Sequence, residues 1–197
     1  GMHNGPGIPE GQFMAVPGCA MASADTCIIT VKGVGGQAAF PHNAVDPILV
    51  GSAIVMALQS VVSRNVPPLQ TGIISLGAFL AGDAPNVIPG TAELRLSVRA
   101  MQPEIRDLLE RRIHEIASAV AQTYGATADV NYMRRYPVLM NDPTQTAFCL
   151  DLVRDWLGET GLVPKPEPVP ASAHLRRAGV VPVAGLGINH VSRKRDL

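Results

Sequence analysis

Thr91-Ala92-Glu93-Leu94-Arg95-Leu96-Ser97-Val98, followed shortly by the long run from Pro103 to Gly125, decides the fold. Ala92, Leu94, Leu96 and Val98 share one face at a period of two, while Glu93, Arg95 and Ser97 share the other, so the segment reads as a strand with one face toward solvent. After Pro103 the period changes. Ile105, Leu108, Leu109, Ile113, Ile116 and Val120 form one helical stripe, Glu104, Arg106, Asp107, Glu110, Arg111, Arg112 and Glu115 take the opposite side, and Gly125 follows the end. A one-sided strand beside a one-sided helix implies two layers sharing a core.

Upstream, Cys27 to Val31 is a short β-branched strand that leaves through Lys32-Gly33. Asp46-Pro47 opens a helix, with a capping carboxylate and a proline preset for the first turn, and Pro67-Pro68 closes it. Pro47 to Ser63 contains no charged residue, and its apolar side chains fall on almost every face. A membrane span needs roughly 20 predominantly apolar residues, and this stretch is shorter and interrupted by Gly51, Ser52, Gln59 and Ser60, so it reads as a buried helix covered once by its sheet and once by something else. Thr71 to Leu80 is the next strand and Ala128 to Tyr136 the last. The order over 25 to 136 is β-α-β-β-α-β, a ferredoxin-like α+β sandwich: a four-stranded antiparallel sheet with two helices on one face. Residues 1–24 read as an irregular entry segment, 25–140 as the principal domain, and 141–197 as a short helix from Asp142-Pro143 to about Leu157, a Pro-rich linker and a tail without pattern.

The chain has 197 residues, 16 Lys+Arg against 16 Asp+Glu, and 4% aromatic residues. Balanced charge removes the long-range attraction that phosphate backbones and anionic lipids exploit, so neither nucleic acid nor membrane is an expected partner. The strands at 27 to 31 and 91 to 98 hold no aromatic residue on which a base could stack, which argues further against RNA. Cys19, Cys27 and Cys149 form no C-x-x-C pair, and no basic start with an apolar run opens the sequence, so a reducing, cytoplasmic setting is expected. Gly1 ahead of Met2 reads as a tag scar.

Gly33-Val34-Gly35-Gly36-Gln37-Ala38 matches the dinucleotide pattern G-x-G-x-x-G/A, but Pro41 interrupts the helix that must follow and no acidic residue ends a strand about 20 residues on, so structural glycines are the better reading. His3, His42, His114, His174 and His190 stand at none of the spacings that converge on a metal. His114 lies among charges and reads as solvated, whereas His42, in a loop before a capped helix, is open to either reading.

His3-Asn4-Gly5-Pro6-Gly7, Met21-Ala22-Ser23-Ala24-Asp25, Gly35-Gly36-Gln37-Ala38-Ala39-Phe40-Pro41-His42, Val45-Asp46-Pro47-Ile48, Gly82-Asp83-Ala84-Pro85-Asn86-Val87-Ile88-Pro89 and Ser97-Val98-Arg99 occur in that order. The series resembles the middle of the hippurate hydrolase, aminoacylase and carboxypeptidase family of dinuclear metal amidohydrolases. The resemblance implies that the β-α-β-β-α-β unit is a lid inserted in a larger catalytic domain, which holds two zinc or manganese ions. It implies homodimerisation through an edge strand and the adjacent helix, and an N-acyl amino acid or similar amide as the substrate of the intact enzyme. It matches His3 to a metal ligand in an H-x-x-P motif, and Asn86 and Arg99 to substrate-holding positions, where an amide donor and a guanidinium fork suit carboxylate oxygens.

Two departures qualify the resemblance. Relatives carry a histidine where this chain has Gln37, which donates a hydrogen bond without positive charge, and a rate loss on the order of 10²-fold is expected by analogy with deleted oxyanion donors. The sequence also contains no C-G-H-D segment, no Glu-Glu pair and no closing Glu-Asp-Phe segment, so no metal cofactor is expected in this chain and no turnover from it alone. Gln37 is grouped with Asn86 and Arg99 as substrate-binding. The competing expectation is a stand-alone small-molecule-binding or regulatory dimerisation module with the same fold.

Overall fold

The computed structural model describes residues 2–4, 8–171 and 186–188. The chain divides into two compact units, Ser23–Pro137 and the flanking segments Gly1–Ala22 with Val138–Leu197.

The Ser23–Pro137 unit contains β1 (Ala24–Lys32), α1 (Pro47–Asn65), β2 (Gly72–Leu80), β3 (Thr91–Ala100), α2 (Pro103–Thr123) and β4 (Thr127–Tyr136). All neighbours in its sheet are antiparallel, in the order β2-β3-β1-β4, so the two central strands come from opposite halves of the unit. This is the ferredoxin-like arrangement that the alternating and helical periods predict. Ala92, Leu94, Leu96 and Val98 are all buried, facing Ile105, Leu109 and Ile113 of α2 within one core. Cys27, Ile29 and Val31 of β1 join them with no exposed surface. The Asp46 carboxylate accepts from the Ile48 amide at 2.8 Å, so the expected cap of α1 forms. Gly125 follows α2 at φ +75°, the left-handed conformation that closes a helix without a Cβ clash.

By length and composition α1 alone, among the described residues, is apolar enough to cross a membrane. Here it lies on the sheet: Val50, Ile54, Leu58 and Val61 are buried, whereas Leu49 and Met56 are 56% and 72% exposed. Sequence reading anticipated cover on two sides, and among the described residues the sheet side is buried while Leu49 and Met56 stay exposed.

In the other unit, the stretch read as an irregular entry segment contains strands. Phe13–Met14 pairs with Leu186–Ile188, and Gly18–Met21 pairs antiparallel with Leu139–Asn141. Asn141, buried, donates from its side-chain amide to the Val16 carbonyl at 2.8 Å. These partners lie more than a hundred residues away along the chain, so no local period could reveal them. α3 (Pro143–Leu157) follows Asp142, whose carboxylate accepts from the Gln145 amide at 3.0 Å. The expected Pro-rich linker reaches Val169, whose amide donates to Ala20 at 2.9 Å. Residues 172–185 and 189–197 of the tail, His174 and His190 among them, lie outside the described residues.

Candidate functional site: the glycine-rich tip and the far end of the central strand

The residues singled out by sequence gather at two separate places. At one end of the sheet β1 leads into a closed loop. Val34 and Val45 exchange both backbone hydrogen bonds at 2.9 Å, and the Gly33 amide donates to the Gly90 carbonyl at 3.0 Å. Gly36–Gln37 then pairs antiparallel with Val87–Ile88, setting Gln37 opposite Val87, and the Ala38 amide donates to the Asn86 carbonyl at 3.0 Å. Gln37 lies in this small ladder and Asn86, 49 positions away in the sequence, adjoins its end, both exposed.

The glycines of this loop have a packing reason. A Cβ on Gly33 would stand 2.1 Å from the Val45 carbonyl oxygen, and one on Gly35 would stand 2.9 Å from that of Ile88. The G-x-G-x-x-A string is thus explained by backbone approaching backbone, and the segment enters a 3-10 turn at Pro41–Asn43 in place of the long helix that a dinucleotide site requires.

Arg99 is elsewhere. It lies on the helix-free face of β3 opposite Ile73, at the other end of the strand from Thr91. The eight steps from Thr91 to Arg99 cover about 26 Å at ordinary strand rise. Asn86 and Gln37 lie at or beyond the Thr91 end, so one copy of this domain cannot close Arg99 and the Gln37–Asn86 pair on one small molecule. His3 falls in the strand Met2–Asn4, and its side chain lies outside the described residues. Among the described residues no three His, Cys, Asp or Glu side chains are grouped to hold a metal ion, so those residues do not fit a dinuclear centre. His114 is exposed on α2, consistent with the solvated reading.

Sequence reading missed one polar cluster. The buried Asp25 carboxylate accepts from Arg106 Nε at 2.8 Å and Nη2 at 2.6 Å, from the Tyr132 hydroxyl at 3.0 Å and from the Arg135 amide at 3.0 Å. Hydrogen bonding to Asp25 holds the Arg106 guanidinium above its ordinary pKa. Burial, and then the neighbouring Asp25 charge, push the Tyr132 phenol far up, so it stays a donor. Four donors on two oxygens leave no room for a substrate, and the cluster fastens α2 to β1 and β4. A signal for it was present: Asp25 is in phase with Cys27, Ile29 and Val31, which puts a carboxylate on a core-facing position.

Residues 20–125 match the model of the peptidase dimerisation domain of the M20 class. This chain belongs to that family. It is 38% identical over 172 residues to the hippurate hydrolase of Campylobacter jejuni, covering 87% of this chain and 45% of that protein. It is 40% identical over 144 residues to an N-acetylcysteine deacetylase of Bacillus subtilis, covering 73% and 38% respectively. Among solved structures, a Staphylococcus aureus protein assigned as an aminohydrolase superposes with a TM-score of 0.79 at 27% identity, covering 99% of this chain and 50% of that one. YxeP of Bacillus subtilis, a dinuclear metal-binding M20 peptidase, gives 0.67 at 25% identity, covering 95% and 46%. The chain spans half or less of the length of each of these relatives. The M20 dimerisation domain accounts for the β-α-β-β-α-β unit, and self-association is what the family's domain supplies.

Proposed function

We propose that this chain is the lid and dimerisation portion of a metal-dependent amidohydrolase acting on N-acyl amino acids, and that it forms a homodimer through β2 and α1. The observation that carries the reading is the chemistry of that edge. Gly72–Leu80 contains no charged residue, it is an edge strand with a ladder partner on one side only among the described residues, and the exposed apolar side chains Leu49 and Met56 stand on the helix of the same unit. An unguarded edge of this kind is stable in water when another strand covers it.

The same pairing would complete the substrate site. A two-fold axis through paired β2 strands reverses the second copy, so its Arg99 arrives at the end of the sheet that carries Gln37 and Asn86 of the first. The separation along the strand within one copy is exchanged for one across the sheet of about three strand spacings, roughly 14 Å between the two β3 strands. Across that gap a guanidinium fork can hold the carboxylate of an acyl amino acid while the two amides hold the acyl oxygen. His3 is assigned as a metal ligand on resemblance alone, and the remaining ligands and the glutamate base are absent from the motifs of this sequence, so we assign no turnover to the chain by itself. Gln37 marks a departure within the site: an amide can orient an acyl oxygen, but it does not supply the imidazolium charge.

Light scattering tests the assembly: a mass of two chains at micromolar concentration is expected, and a mass of one chain would sink the proposal. Incubation with Zn²⁺ or Mn²⁺ and hippurate tests the silence of the isolated chain, where hydrolysis above the metal blank would contradict it.

A further inference from the structure

The tip that carries Gln37 and Asn86 also carries a half-exposed aromatic side chain outside the core of its domain. Phe40 is 52% exposed and lies outside the buried cluster of the core. Its backbone is nonetheless held firmly. The Phe40 amide donates to the Gln37 carbonyl at 2.9 Å, and the Phe40 carbonyl accepts from the Asn43 amide at 3.1 Å. A turn closed in this way keeps the Cα atoms of Gln37 and Phe40 within about 7 Å of each other. The His42 ring stands edge-on to the Phe40 ring, with centroids 6.3 Å apart and planes at 80°, the geometry that aromatic quadrupoles prefer. Val34 and Val87, 54% and 52% exposed, belong to the strands and bridges that frame the same loop.

We infer that Phe40, propped by His42, is an acyl-group selector: it offers a flat apolar wall one turn away from the amides that hold the acyl oxygen, and it favours N-aroyl over N-acetyl amino acids. The inference rests on the proposed substrate site and deepens it by naming the acyl class. Relatives at 38% and 40% identity act by name on a benzoyl and an acetyl compound, so overall likeness does not choose between the two. A ring does. Stacking or edge contact between a benzoyl group and Phe40 adds a preference of about fivefold, whereas an acetyl methyl gains no such contact.

The test is an NMR titration of the full chain with two probes, hippurate and N-acetylglycine, which share a glycine carboxylate and differ in the acyl group. Wild type is expected to bind hippurate about fivefold more tightly, with the Phe40 ring resonances shifting for hippurate only. Phe40→Leu keeps an apolar side chain at an exposed position and is expected to abolish the preference while leaving N-acetylglycine affinity unchanged. His42→Asn should weaken the preference partially by freeing the ring. Equal affinities in wild type, or a preference that survives Phe40→Leu, would overturn the inference and leave the substrate site standing. Failure of both probes to perturb Gln37, Asn86 or Arg99 resonances would instead remove the substrate site, and this inference with it.

Discussion

The two edges of the same sheet are built on opposite principles. β2 has no charge along its length and interrupts its ladder with a register shift between Leu76 and Ala78. β4 is guarded: Asp129 pairs with Lys32, and Arg134 reaches Asp107 at 2.7 Å and Glu110 of α2. Charges on an edge raise the cost of pairing with another chain, because their hydration must be surrendered. The helices repeat the contrast. α2 turns Arg111, Arg112 and Glu115 outward and links them in ion pairs, while α1 turns Leu49 and Met56 outward. Among the described residues one side of the domain is closed by ion pairs, and the proposed homodimer would cover the other.

The strongest way to break that comparison is to give β2 what β4 already has. Ser75→Lys together with Met56→Glu, both at exposed positions, should reduce the mass seen by light scattering from two chains to one while circular dichroism stays unchanged. Retention of the dimer would move the interface elsewhere. On the finished side, Arg106→Ala strands the Asp25 carboxylate in the core and should cost about 3–5 kcal/mol in urea unfolding, since a buried charge loses its partner. A smaller loss would mean that Tyr132 and the Arg135 amide suffice.

Between the edges, Cys27 sharpens the contrast through pH. Burial, and then the negative charge of Glu110, push its thiol from 9.0 up to about 12. The folded chain therefore keeps this proton while the unfolded chain loses it. The stabilisation is fully present below pH 9 and fades as pH rises from 9 toward 12. Urea midpoints across that window should fall more steeply for the wild type than for Cys27→Ala, and parallel slopes would refute the assignment. The smallest effect is expected where the guard is fully solvated: Asp129→Ala, at the exposed Lys32 pair, should change stability by less than about 1 kcal/mol. Its measurable consequence is instead a greater tendency of the β4 edge to associate.

Much of this was legible from local pattern. The alternation at 91 to 98, the stripe from Ile105 to Val120, the Asp46-Pro47 opening and Gly125 each report a few neighbouring residues, and each forms as read. The uncharged run of α1 was read as a buried helix, and Val50, Ile54, Leu58 and Val61 are buried on it. What the sequence left dark depends on partners far along the chain: Asp25 meets Arg106 and Tyr132 across separations of 81 and 107 positions, and Gly18–Met21 finds Leu139–Asn141.

The candidate site shows the division most sharply. Sequence determined which residues suit a carboxylate and an amide, because that chemistry resides in the side chains themselves. Only the tertiary structure decided that Gln37 and Asn86 meet at one small ladder while Arg99 stands at the opposite end of β3, because strand direction and sheet order convert nearness in sequence into distance in space.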